Sequence, residues 1–439
     1  MNANILTTDH IRQHLETARQ KIAQNKLQEA AQTLNEAQRI QPNDARVFML
    51  AGLMAEQSGN VKKALESLRT CVALAPNWGP GMLELALLLA RQNQFNEAMK
   101  WAEDVAALEP KNPKVLAGVV DIAHRSGNLE MAVRHLERGL QQHPGDQQLM
   151  AHLSQDLAQL QRYDESLKII ELLITQEPTN PEFLVSRIQT LLVANRAPEA
   201  LPSTTTLIGK YPNDEIAQYY HQIAQGKVPA QQPAALYRSM FDNMASSYDM
   251  HMVRGLRYQL PKLVAAKIMA HHPDKKLNIL DLGCGTGLLG IFLGKPDGFL
   301  IGVDTSEKMI EQAARHNLYD RFHMVDLRDA LRETPDDLYD AITALDVFIY
   351  TGDVSEAISN AFRILRAGGA FYFSCETTKT DANHLVLQAS GRYAHSEQSI
   401  QTLCSAAGFL SVHVEEHVLR YESDQPVQGF LVIASKAAT

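Results

Sequence analysis

The sequence predicts a chain in two parts, an all-α repeat array followed by an α/β domain. Two observations carry this. Prolines recur at Pro42, Pro76, Pro110, Pro144, Pro178 and Pro212, a fixed step of 34 residues, and such a period marks stacked supersecondary units. Beyond the last of them, an apolar strand pattern at 277–282 runs straight into Gly283-Cys-Gly-Thr-Gly287. Strand, glycine turn and helix are the parts of a nucleotide-binding crevice.

Composition fits two soluble domains and excludes several classes. The 439 residues are 45% hydrophobic and 21% charged, which excludes disorder, collagen and rod-like coiled coil. A net charge of −9 gives no basic footprint for nucleic acid, so no nucleic-acid partner is expected. Cys71, Cys284, Cys375 and Cys404 lack metal-ligand spacing and point to a reducing compartment. The first residues show no basic stretch followed by an apolar run. The most apolar stretch, 81–90, is too short to span a bilayer and contains Glu84. The expectation is a cytoplasmic protein with no membrane partner and no bound metal.

Other columns of the repeat keep the proline register. Twelve residues before each proline stand Ala30, Ala64, Ala98, Ala132, Ser166 and Ala200, all small, as close helix approach requires. Seventeen before stand Asn25, Gly59, Asn93, Gly127, Gln161 and Asn195, a column dominated by residues that tolerate the left-handed backbone ending a helix. Each unit therefore reads helix, tight turn, helix, with proline stopping the second helix. This pattern resembles tetratricopeptide repeats: six units over 11–214 and a capping helix at 215–225, making residues 1–225 a solenoid. The resemblance implies a groove for a protein or peptide, offering Arg46, Met49, Leu53, Glu56, Asp121 and His124 among others. Met49 and Leu53 replace the polar clamp of chaperone-tail binders, which disfavours a chaperone role. The same surface also suits a second copy of the chain, giving a homo-oligomer through the repeats. Residues 226–235, with two prolines, Pro229 and Pro233, and almost no large apolar side chain, read as a linker.

In the α/β part, 236–439, strands are expected at 277–282, 299–303, 322–325, 340–345 and 370–375. Two long ones, 409–420 and 428–434, suit an antiparallel hairpin at the sheet edge. Asp304 ends the second strand, where an acid can accept from ribose hydroxyls. Two cofactors compete, because Gly285-x-Gly287-x-x-Gly290 also satisfies the dinucleotide pattern. Asp281, two residues before the first glycine, favours S-adenosylmethionine, whose cationic aminoacyl end it can hold directly or through water. Asp326, closing the third strand, can accept from an adenine amino group.

With those residues in place, the domain resembles class I S-adenosylmethionine-dependent methyltransferases over about 237–436, which implies a Rossmann-like fold with a seven-stranded mixed sheet. By that resemblance Gly283, Gly285 and Gly287 contact the methionine moiety, Asp304 the ribose and Asp326 the adenine. Cys284 lies within the same turn, its thiol a small filler rather than a nucleophile. Phe241-Asp242, Tyr248-Asp249, Tyr350-Thr-Gly352-Asp353, Gly391-Arg-Tyr-Ala-His395-Ser396 and Leu419-Arg420 are similar to a bacterial subgroup that joins tetratricopeptide repeats to this fold. Tyr248 either covers the methionine part of the cofactor or packs helices.

Asp346, ending the fourth strand, orients an amine or hydroxyl nucleophile, holds the cofactor's amino group, or simply caps the strand. His395, placed in a polar turn between helical stretches, is the candidate base; loop hydrogen bonding or N-capping with Ser396 is its alternative. Arg392 and Arg420 bind an acidic acceptor or act as ion-pair partners. Leu345-Asp346-Val347-Phe348 lacks the prolines of adenine- and amide-methylating enzymes. The expected function is methylation of a protein or peptide held by the repeats. The alternatives are a small-molecule O- or N-methyltransferase, with repeats for assembly, and a cofactor-binding scaffold without turnover.

Overall fold

The computed structural model describes residues 2–245, 248–378, 385–388, 390–422 and 424–438, with side chains described from Ile11 onward and that of Arg254 excepted. By backbone contacts the chain forms two compact units, Met1–Thr190 and Leu191–Thr439.

Helices pair as the period requires. They are α1 (Asn2–Ala23) with α2 (Leu27–Ile40), α3 (Ala45–Gln57) with α4 (Val61–Leu74), α5 (Gly79–Arg91) with α6 (Phe95–Leu108), α7 (Pro113–Arg125) with α8 (Leu129–Gln142), and α9 (Gln147–Gln159) with α10 (Tyr163–Gln176). Then come α11 (Pro181–Val193), α12 (Leu201–Lys210) and α13 (Glu215–Ala224). Each second helix ends two residues before its proline. Asn25, Gly59, Asn93, Gly127, Gln161 and Asn195 all have φ between 57° and 79°. The left-handed turn reverses the chain within two residues and sets the second helix against the first. The small column meets that contact, and all six members are fully buried. Of the expected groove residues, Met49 is buried in the repeat core. Charged ones pair between neighbouring first helices, Arg91 with Glu56 at 2.6 Å and His124 with Asp156 at 2.9 Å.

The α/β part opens with α14 (Ala234–Met244), a π-helical turn at Met250–Gly255 and α15 (Leu260–His271). Then β1 (Ile279–Leu282), α16 (Leu288–Leu293), β2 (Leu300–Asp304), α17 (Glu307–Ala314), β3 (Arg321–Met324), α18 (Leu327–Glu333), β4 (Tyr339–Ala344), α19 (Ser355–Ile364) and β5 (Leu365–Thr377) alternate, as parallel crossovers demand. Short strands β6 (Leu385–Leu387) and β7 (Tyr393–His395), helix α20 (Glu397–Ala407) and the hairpin β8 (Ser411–Glu422) and β9 (Gln425–Ser435) complete it. The sheet runs β3-β2-β1-β4-β5, and β9 inserts antiparallel between β5 and β8.

The seven expected strands are all present. Two more, β6 and β7, add to them; three-residue strands carry too little alternation to read from sequence. Glu376 pairs with Gly429 on one edge of β5 and with Ala394 on the other, so β7 continues the edge that β4 leaves at Phe373. Strand periodicity then divides the core. Leu280, Ile342, Phe371, Phe373 and Val432 join one apolar cluster with α19 and α20. Ile279, Ala341, Tyr372, Leu431 and Ile433 join the other with α15 and α16. This two-period alternation lets one sheet bury both faces. Among the described residues no helix is long and apolar enough to cross a membrane.

Candidate functional site

The glycine turn follows β1 with three left-handed residues, Gly283, Gly285 and Gly287, at φ 65°, 53° and 84°. They serve different ends. A Cβ on Gly283 would lie 2.4 Å from Val347, whereas one on Gly285 would meet only the Tyr248 ring, at 3.9 Å. Gly285 therefore presents bare backbone to the crevice, where a ligand can approach it. Gly287 begins α16 and packs instead on Ala313 and Tyr319, 3.1–3.3 Å from where a Cβ would stand. Cys284 turns its thiol inward, and burial raises its pKa well above the usual range. A buried thiol of raised pKa fills space and is no nucleophile.

Asp304, ending β2, accepts from Gly285 N–H and Ser306 N–H, each at 2.9 Å. Burial raises its pKa, and these amide donors oppose the rise. Beside it, α14 and the following helical turn are pinned to the turn region. Ser306 donates to Asp242 at 2.6 Å, and Thr286 donates to Asp249. The pins bring aromatic rings over the crevice. Tyr237 lies 4.9 Å from Tyr350 at 31°, Phe241 meets Tyr350 edge-on at 5.7 Å, and Phe241 meets Tyr248 at 6.2 Å. The crevice is lined by these rings with Gly283, Gly285, Asp304, Leu345, Asp346 and Val347, and by Val325 and Leu327 flanking Asp326.

Asp346 follows β4 with φ 59°, a strained setting for a non-glycine residue. Both its carboxylate oxygens accept from Arg420 Nη1, at 2.7 and 2.9 Å, and its N–H donates to Ser374. Arg420 also pairs with Glu376 and Glu422, and Arg392 pairs with Glu376 and Glu422. Burial opposes the charge on Arg420, yet Asp346, Glu376 and Glu422 outweigh it and raise its pKa. Of the two readings of these arginines, the structure selects ion pairing.

Tyr248, Gly283, Gly285, Asp304 and Asp346 thus meet at one crevice, and the remaining candidates do not. Asp281 is 3% exposed, its carboxylate accepting from the hydroxyls of Tyr319 at 2.6 Å and Thr343 at 2.7 Å. It ties β1 to β4 and is not among the residues that line the crevice. Asp326 caps α18 and holds Arg328 at 2.9 Å, so its carboxylate stands outside the lining while its neighbours form it. His395 is not in a turn. It ends β7, 2% exposed, with Nε2 2.9 Å from the Gly352 carbonyl, and does not line the crevice. Burial lowers its pKa, and a sealed neutral imidazole is no general base for a substrate. Sequence reasoning missed Tyr237, although its spacing of four from Phe241 places both on one helix face.

The group implied for this crevice, S-adenosylmethionine, fits on three counts. Gly285 leaves open space where any side chain would intrude, and Asp304, preorganised by two amides, can receive ribose hydroxyls. The lining includes carboxylates and no Lys or Arg, which suits a cationic sulfonium.

A family model described as a methyltransferase domain matches residues 280–371, and tetratricopeptide-repeat models match 15–77 and 123–188. The mitochondrial ubiquinone biosynthesis O-methyltransferase of Mus musculus is 27% identical over 32% of this chain and 40% of its own length. The Homo sapiens methyltransferase-like protein 27 is 32% identical over 33% of this chain and 58% of its own. The chain thus spans less than two thirds of either relative. A SAM-dependent methyltransferase structure from Methanosarcina mazei aligns at 18% identity and TM-score 0.33, covering 39% of this chain and 98% of that one. With the crevice built as described and these three model matches, the chain joins tetratricopeptide repeats to a methyltransferase domain.

Proposed function

We propose that the chain is an S-adenosylmethionine-dependent methyltransferase whose repeats recruit a protein or peptide acceptor. The observation that carries the cofactor assignment is the bare Gly285 backbone facing the crevice beside a preorganised Asp304. When bound, the cofactor supplies a methyl group already activated by the sulfonium, so the chain's task is alignment and exclusion of water. Asp304 holds the ribose. Tyr248, Phe241 and Tyr237 shield the crevice from solvent. Asp346, held by Arg420, orients what binds in the crevice; burial raises its pKa and the guanidinium opposes that rise.

Recruitment by the repeats is supported by the surface they expose: five complete helix pairs precede Thr190, more than a small acceptor requires. Binding there raises the acceptor's concentration at the crevice. A second reading, small-molecule O-methylation, is favoured by the cation-free aromatic lining and by relatives named for ubiquinone biosynthesis. Incubation of full-length protein with methyl-labelled cofactor in cell extract separates them. Labelled protein bands that vanish with Asp304→Ala support recruitment; label confined to solvent-extractable small molecules overturns it. Absence of any label, with intact cofactor binding, points to a scaffold.

A further inference from the structure

The stretch 226–235 has the composition of a free tether but not the contacts of one. The Ala230 carbonyl accepts Gly352 N–H at 2.9 Å and Asp353 N–H at 2.8 Å. Gln231 bridges antiparallel to Thr351, and Gln232 N–H donates to the Tyr350 carbonyl at 3.1 Å. The other anchor is a tyrosine: the Tyr393 hydroxyl donates to the Pro229 carbonyl at 2.9 Å, with Tyr219 of α13 beside it. Both rings are buried. Gly352 is needed there for space, because a Cβ would stand 2.7 Å from the Tyr393 ring and 3.0 Å from the Ala230 carbonyl. Beneath them, His395 holds the Gly352 carbonyl.

The partners of this segment are the crevice wall itself. Tyr350 and Thr351 line the crevice, and Tyr237, just past the segment, packs on Tyr350. We propose that residues 229–232 form a positioning strap, clamped by Tyr393, that fixes the Tyr350–Thr351 wall of the cofactor crevice. Tyr393 and His395 are then positioning residues, acting through the wall and touching no reactant. The proposal rests on reading the crevice as the S-adenosylmethionine site.

The test uses full-length protein and S-adenosylhomocysteine as the probe, with calorimetric binding and thermal melting measured together. Tyr393→Phe keeps the ring and removes one donor. It should weaken binding about three- to tenfold, the size of one neutral hydrogen bond, while the unliganded melting temperature moves little. Unchanged affinity, or a lowered melting temperature with unchanged affinity, overturns the strap. Amide exchange of Gly352 and Asp353 in wild type is the second readout, and covers a variant that fails to fold. Protection in the unliganded protein supports the strap, and exchange at free-loop rates overturns it. If wild type does not bind the probe at all, the crevice reading falls, and amide exchange alone then judges the strap.

Discussion

Asp304, Asp346 and Asp281 are carboxylates at or near the crevice ends of parallel strands, and their surroundings give them different tasks. Asp304 accepts two amides and faces the crevice, so Asp304→Ala removes the proposed ribose acceptor and leaves those amides unpaired. Calorimetry should show S-adenosylhomocysteine affinity reduced about 10- to 100-fold, as for loss of a charged hydrogen-bond partner. Asp281 is sealed between Tyr319 and Thr343, and burial lifts its pKa from 3.8 to about 6 despite those donors. The sign follows from linkage. A raised carboxylate pKa favours the folded state fully below pH 3.8, and that contribution is lost as pH rises through about 6. The stability gap between wild type and Asp281→Asn, from urea melts at pH 4 and pH 7, should therefore shrink on going to pH 7 by on the order of 2–3 kcal/mol. A constant gap would mean that Asp281 titrates like a solvated acid. The sequence made both residues legible as acids at strand ends. It could not show which way each carboxylate turns, because that depends on Tyr319 and Thr343, 38 and 62 residues away.

Elements were the most legible level, and the reason is repetition. One column of Asn, Gly and Gln, seen six times, specifies a left-handed turn that a single occurrence would not. The column also isolates a backbone effect. Gly59 has φ 79° with nothing within 4 Å of a built Cβ, so Gly59→Ala costs about 1 kcal/mol through backbone conformation alone. Gln161 holds φ 60° with a full side chain, and Gln161→Gly should stabilise by about 0.5–1 kcal/mol. Chemical denaturation followed by helical circular dichroism reads both, and equal signs would refute the account. Illegible were β6 and β7, too short to alternate, and the role of His395, whose polar sequence neighbours hid a strand paired with β5. The 226–235 stretch misled in the same way, since its proline-rich composition describes a chain without side-chain anchors and its anchors are backbone groups.

At the scale of the molecule, two compact units divide at Thr190 and Leu191, and only the second carries the crevice. Scanning calorimetry should therefore resolve two transitions. S-adenosylhomocysteine at 100 times its Kd should raise the stability of the second unit by about 2.7 kcal/mol and leave the first unmoved. A ligand shift of both transitions together would show that the units unfold as one. Within the second unit, the ion cluster at the crevice joins residues distant in the chain: Asp346 lies 74 residues ahead of Arg420. At 5–20 residues per second, a ribosome takes on the order of 4–15 s to add the missing guanidinium. Arg392 is made earlier and pairs with Glu376, but until Arg420 follows, Asp346 lacks its guanidinium partner, an arrangement that resists burial. The newborn domain must wait for its hairpin before the interior can close, and during that wait it is exposed to chaperones and proteases.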